Sequence, residues 1–284
     1  MDTPFLANLI QGFRQVALMD ALMARKACLF GEPQWIVAAR RTFTGHVAEL
    51  SNLAMRIPAI LEQADKLVHA KRATPDVCEI ATALTFCVEL ERELMDWRLQ
   101  WYRDPAVEVH PTDISHKSAS CAQPYRTAGI EKYPAFLERF PDVARAFSTV
   151  IEYPSFTAAA WHDYYWACLI TLREAILDVS RLNPQPLLRS SNQDEVLTAA
   201  VYECADSLCQ AVPFTRENYA NCFSGILVIS GPLQLASKWY ERQGDVAKLA
   251  WCRAMEDDLN SGPLNVPYVQ RNALLSRRFA LLGG

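Results

Sequence analysis

The stretch TAAAWHDYYWACLITLREAI, Thr157 to Ile176, decides the fold. Apolar and aromatic residues fill most positions from Tyr164 to Leu177, which leaves no broad polar face. The spacing therefore predicts a helix buried on most of its sides. His162, Asp163, Arg173 and Glu174 nevertheless sit inside it. At helical spacing Asp163, Ile170, Glu174 and Leu177 share one stripe, and His162, Trp166, Leu169 and Arg173 share the next. Two readings are open for these polar groups. They can be structural, with Asp163, Arg173 and Glu174 in interhelical ion pairs and His162 donating to a backbone carbonyl. Alternatively, His162 and Asp163 face a cavity as an acid/base pair, with Arg173 as a donor to an anion or carbonyl.

Helical signals extend outward in both directions. Thr3-Pro4 supplies an N-cap with proline at the first helical position, and Leu6, Leu9, Ile10, Phe13 and Val16 predict a helix to about Cys28, stopping before Gly31 and Pro33. A second pattern, Val47, Leu50, Ala54, Ile57 and Leu61, contains Pro58, which removes a backbone donor and splits or kinks it. Thr74-Pro75-Asp76 opens a third helix that ends before Pro105. Beyond the central helix, placed at about 155–182, further helices are expected at about 193–212, 226–240, 246–259 and 268–282, with a loop from Val212 leading into the second of these. Alternation typical of exposed strands is almost absent. The fold class is all-α, a single large multi-helix bundle over residues 1–284.

Residues 104–134 lack helical periodicity and carry Pro105, Pro111, Pro124, Gly129 and Pro134. A loop of that length inside a compact domain marks either an internal boundary or a lid. His110, His116 and Cys121 lie in it without the spacing of a metal site.

Composition excludes several classes. Hydrophobic residues make up 51% and charged residues 21% of the 284, which is ordinary for a folded globular chain. The net charge of −4 and the scattering of basic residues in pairs argue against a nucleic-acid reader. No apolar run reaches membrane-spanning length, and the early acid in MDTPFLANLIQGFRQ opposes a signal peptide. The nine cysteines lie mostly in apolar segments, so reduced, buried thiols are expected in an intracellular, cytoplasmic protein. No GxGxxG, phosphate loop, GxSxG or HExxH occurs; no cofactor and no metal are expected.

Several segments in order resemble the regulatory, fungal-specific domain of fungal zinc-cluster transcription factors: FRQVALMDALMARKACLFGEPQW, LERELMDWRLQWY, WHDYYWACLITLREAI, YECADSLCQAVPF, GPLQLASKWY and LAWCRAMEDDL. The family's DNA-reading module is a binuclear zinc cluster of six cysteines built from CxxC pairs, and no CxxC is present here. The resemblance implies the regulatory half without the DNA-binding half.

Function then divides two ways. One is a small-molecule-handling protein, a cofactor-free cyclase or isomerase of a hydrophobic metabolite in fungal specialised metabolism. It would use His162, Asp163 and Arg173 as its polar elements and Trp97, Trp101, Tyr165 and Trp166 as walls. The other is a DNA-binding-deficient regulator acting through a protein partner or as a homodimer, which would place it in the nucleus.

Overall fold

The computed structural model describes residues 3–70, 76–103, 125–142, 144–182, 191–219 and 223–261. The described chain is all-α apart from one two-stranded sheet. It divides into two compact units, residues 1–101 with 168–204, and residues 102–167 with 205–284. No helix among the described residues is long and apolar enough to cross a membrane.

The first unit begins with α1 (Thr3–Ala24). The helix stops four residues before the expected Cys28 because Arg25 turns to φ 51°, in the left-handed region. Its N–H then reaches the Leu22 carbonyl and that of Lys26 reaches Ala21, closing a Schellman-type cap. A non-glycine residue is strained there. The bidentate contact of Arg25 with Asp65, at 2.8 to 3.0 Å, holds it in place. A short α2 (Pro33–Thr42), not foreseen, starts on Pro33, which serves as a helix opener rather than a stop. The second predicted pattern is divided as expected: α3 (His46–Ala54) ends, and α4 (Ile57–Val68) restarts with Pro58 in its first turn, where a missing N–H costs nothing.

In α5 (Val77–Arg103) the Asp76 carboxylate accepts the Cys78 N–H at 2.9 Å. Ile80, Ala83, Cys87, Leu90, Leu94, Trp97 and Trp101 form one buried stripe at alternating steps of three and four residues. Trp97 and Trp101 pack with ring centroids 4.9 Å apart, and Trp97 Nε1 donates to the His46 carbonyl at 2.8 Å.

The second unit carries the sheet. Strand β1 (Arg126–Gly129) pairs antiparallel with β2 (Thr149–Glu152), with Arg126 opposite Glu152. Strand β1 lies in the segment read as a loop from 104 to 134, of which residues 104–124, including His110, His116 and Cys121, lie outside the described ones. Between the strands sits α6 (Pro134–Arg139).

The central helix, α7 (Phe156–Ser180), is buried without a break from Ala158 to Leu172, as its composition predicts. Helix α8 (Ser191–Tyr219) runs past the expected end at Val212 and contains Pro213, so no loop begins there. Helices α9 (Phe223–Gln243) and α10 (Val246–Ser261) are joined through Gly244 at φ 72°, with Asp245 N–H returning to the Tyr240 carbonyl. The helix expected at 268–282 lies outside the described residues.

Trp239, Trp251 and Phe136 fill the core of this unit. The thiols of Cys209 and Cys252 face each other at 3.7 Å within it, and burial pushes the Cys209 thiol up.

Candidate functional site

The chemistry of the second unit collects around the N-terminal half of α7. His162 is fully buried. Its Nδ1 lies 3.0 Å from the Ala158 carbonyl oxygen, one turn back on the same helix. A carbonyl can only accept, so Nδ1 carries the proton, and in the neutral ring Nε2 is left with its lone pair. The Tyr102 hydroxyl stands 3.1 Å from Nε2 and donates to it. The result is a hydrogen-bonded chain from phenol to imidazole to backbone, with its tautomer fixed at the far end.

Aromatic rings surround the imidazole. Tyr153 lies at 5.2 Å, Tyr125 at 5.4 Å edge-on, Trp166 at 5.5 Å and Tyr102 at 5.9 Å between ring centroids. Tyr125 also touches Tyr153 and Trp166, at 6.0 and 6.2 Å. Such a box excludes water and lowers the local dielectric constant, which strengthens the polar contacts inside it.

Two polar atoms here have no hydrogen-bond partner among the described residues: Asp163 Oδ1 and the Tyr153 hydroxyl. Asp163 is 3% exposed and Tyr153 2%. Burial pushes the Asp163 carboxyl well above the usual carboxylate range. That shift favours the neutral acid, the form with one O–H to donate. Burial also raises the Tyr153 phenol, with a further push from Asp163, Tyr125 and Tyr102. Tyr153 thus links the two halves of the site, since its ring touches His162 and its hydroxyl senses Asp163. An unpaired buried polar atom costs about 1–3 kcal/mol, so each of the two is a liability in the fold.

The Asp163 carboxyl yields a pH prediction. The folded state keeps a proton that the unfolded chain releases near a pH of about 4, so folding stability falls as pH rises above that value. Asp163→Asn removes this loss. Denaturant unfolding at pH 4, 6 and 8 is expected to show the variant matching the parent at the acid end and exceeding it increasingly toward pH 8. Parallel profiles would mean that the carboxyl is ionised in the fold.

The residues singled out from sequence fall in both units. His162, Asp163, Tyr165 and Trp166 belong to the second; Tyr165 is buried at 1% exposure. Trp97, Trp101 and Arg173 belong to the first. There Arg173 Nε donates to Glu91 at 2.6 Å, and Nη1 reaches the Ala200 carbonyl at 3.0 Å and Cys204 at 3.2 Å. Sequence reading did not assign Tyr102, Tyr125 and Tyr153 to the site. They come from α5, the lead into β1 and the end of β2, three segments with no shared local pattern. Only Tyr102 stood in a quoted motif, as the last residue of DWRLQWY. Among the described residues no cluster of His, Cys, Asp and Glu could hold a metal ion.

No family model, curated protein or solved structure matches the chain.

Proposed function

We propose that this protein binds a hydrophobic small molecule at the aromatic box of its second unit and promotes a cofactor-free cyclisation or isomerisation of it. The observation that carries the reading is the pair of unpartnered buried polar atoms, Asp163 Oδ1 and the Tyr153 hydroxyl, beside the Tyr102–His162 hydrogen bond. In this scheme the rings of Tyr125, Tyr153 and Trp166 hold an unsaturated substrate in a reactive shape. The neutral Asp163 carboxyl donates to a substrate carbonyl and stabilises charge developing there. His162 Nε2 accepts a proton through Tyr102 and returns it by the same path. The ordered segments resembling a fungal regulatory domain suggest the ancestry of such a scaffold. They rest on sequence alone, and resemblance of fold does not assign an activity.

The experiment is deletion of the gene in its host, with metabolites and transcripts recorded from the same culture. An accumulating hydrophobic intermediate with neighbouring transcripts unchanged is the expected result, and the purified protein should then convert that intermediate. Transcripts that change before any intermediate accumulates would overturn the reading in favour of a regulator.

A further inference from the structure

Two thiols meet in the core of the second unit. Cys209 of α8 and Cys252 of α10 are each 0% exposed, and their sulfur atoms stand 3.7 Å apart. At that distance the sulfurs are in van der Waals contact, with no atom between them. Both are free thiols. The residues are 43 positions apart in the chain, so only the packing of α10 brings them together.

Two further features separate this pair from ordinary core filling. The first is a polar chain that leads outward from Cys209. The Tyr240 oxygen lies 3.9 Å from Cys209 Sγ, and its hydroxyl donates to Asp206 Oδ1 at 2.7 Å. With its one proton committed to Asp206, the phenol keeps lone pairs that can accept from the thiol. Lys248 Nζ holds both Asp206 oxygens, at 2.7 and 2.8 Å. The Asp206 side chain is 32% exposed, so the buried thiol has a hydrogen-bonded way to solvent through a single tyrosine.

The second is the attachment of α10. Its buried residues are Trp251, Cys252, Met255 and Leu259, a single stripe, while Arg253 and Asp257 between them are exposed. A surface helix held by one stripe opens locally at lower cost than the whole unit. When α10 opens, Cys252 leaves the core with it.

We infer that Cys209 and Cys252 are a modification site, oxidised by peroxide to a reversible disulfide that clamps α10 to α8. In the closed fold, burial pushes the Cys209 thiol up and keeps it unreactive. Opening of α10 exposes Cys252, whose thiolate attacks the O–O bond of the peroxide. The sulfur keeps one oxygen as sulfenic acid, and the hydroxide expelled takes the thiol proton to give water. On reclosure Cys209 attacks the Cys252 sulfur: the S–S bond forms, the S–O bond breaks, and the second hydroxide is matched by the Cys209 proton, which leaves by way of Tyr240 and Asp206. Two thiols have then lost two electrons, and one peroxide has become two waters. Rotation about the two Cα–Cβ bonds closes the sulfurs from 3.7 Å to about 2.0 Å. The bond ties off a loop that contains α9 and the Gly244 turn, which restricts the unfolded chain. The inference does not rest on the activity proposed for the aromatic box.

The test uses the full chain in reduced form. Accessible thiols are blocked briefly with N-ethylmaleimide, millimolar hydrogen peroxide is added, and the unreduced protein is digested for mass spectrometry. The expected product is a monomer in which the Cys209 and Cys252 peptides are joined with loss of two hydrogen atoms, and dithiothreitol should separate them. Recovery of both as free thiols, as sulfinic or sulfonic acids, or joined to other cysteines overturns the inference. The clamp is measured in urea. Oxidation should lower the unfolding equilibrium constant of the parent at least about tenfold, and should leave that of Cys252→Ala unchanged. An equal constant for the parent before and after peroxide, or an equal fall in Cys252→Ala, also overturns it. The peptide result comes from the parent chain and decides the matter even where Cys252→Ala folds poorly.

Discussion

Replacing His162 by Gln is expected, under the proposed function, to lower turnover of the substrate by about 100- to 10,000-fold, the usual contribution of a general acid/base group. Glutamine can still donate to the Ala158 carbonyl and fill much of the same volume, but it cannot take up a proton near neutral pH. A soluble variant with an unchanged unfolding midpoint and full turnover would remove His162 from the chemistry. Tyr102→Phe breaks the other end of the chain and leaves Nε2 without its 3.1 Å donor. Since the two side chains act through one hydrogen bond, the double variant should lose far less than the product of the two single losses. Losses that multiply would indicate that Tyr102 and His162 act separately.

Asp258→Ala is expected to be the most damaging of the charge substitutions, at about 3 kcal/mol, in the lower part of the range for breaking a buried ion pair. The Asp258 side chain is 6% exposed and binds two arginines, Arg216 at 2.5 Å and Arg139. Arg216, 18% exposed, lies over the Phe140 ring at 5.5 Å and would keep its charge in a largely dry place with no carboxylate beside it. Arg139 is 53% exposed, so Arg139→Ala should cost no more than about 1 kcal/mol. Urea unfolding of both variants checks the pair. Equal losses would mean that the exposed arm carries as much of the interaction as the buried one.

The helices were legible in sequence wherever a local signal coincided with a long periodic run. Pro58 divided α3 from α4 as its chemistry requires, and the density of apolar residues after Ala158 announced the buried α7. Proline also misled. Pro33 read as a stop and opens α2, while Pro213 read as the start of a loop and lies inside α8, where the packing of a buried helix outweighs one lost hydrogen bond. The strands were invisible for another reason. RTAG and TVIE are four residues each, and β2 is buried at three consecutive positions, so there is no alternation to see. Of the candidate site, the α7 residues could be named from one stretch of sequence. The tyrosines around them could not, because long-range packing alone gathers Tyr102, Tyr125 and Tyr153 about one imidazole.

The close pair of thiols at Cys209 and Cys252 has a practical side. Among the described cysteines, Cys78 at the start of α5 is exposed and Cys28 half-buried, whereas Cys87, Cys168, Cys204, Cys209 and Cys252 are buried. Among these described cysteines, a maleimide dye offered to the native protein will therefore attach first at Cys78. The interior thiols stay dark until their surroundings open, so the order in which they take up label forms a built-in clock of how this molecule comes apart.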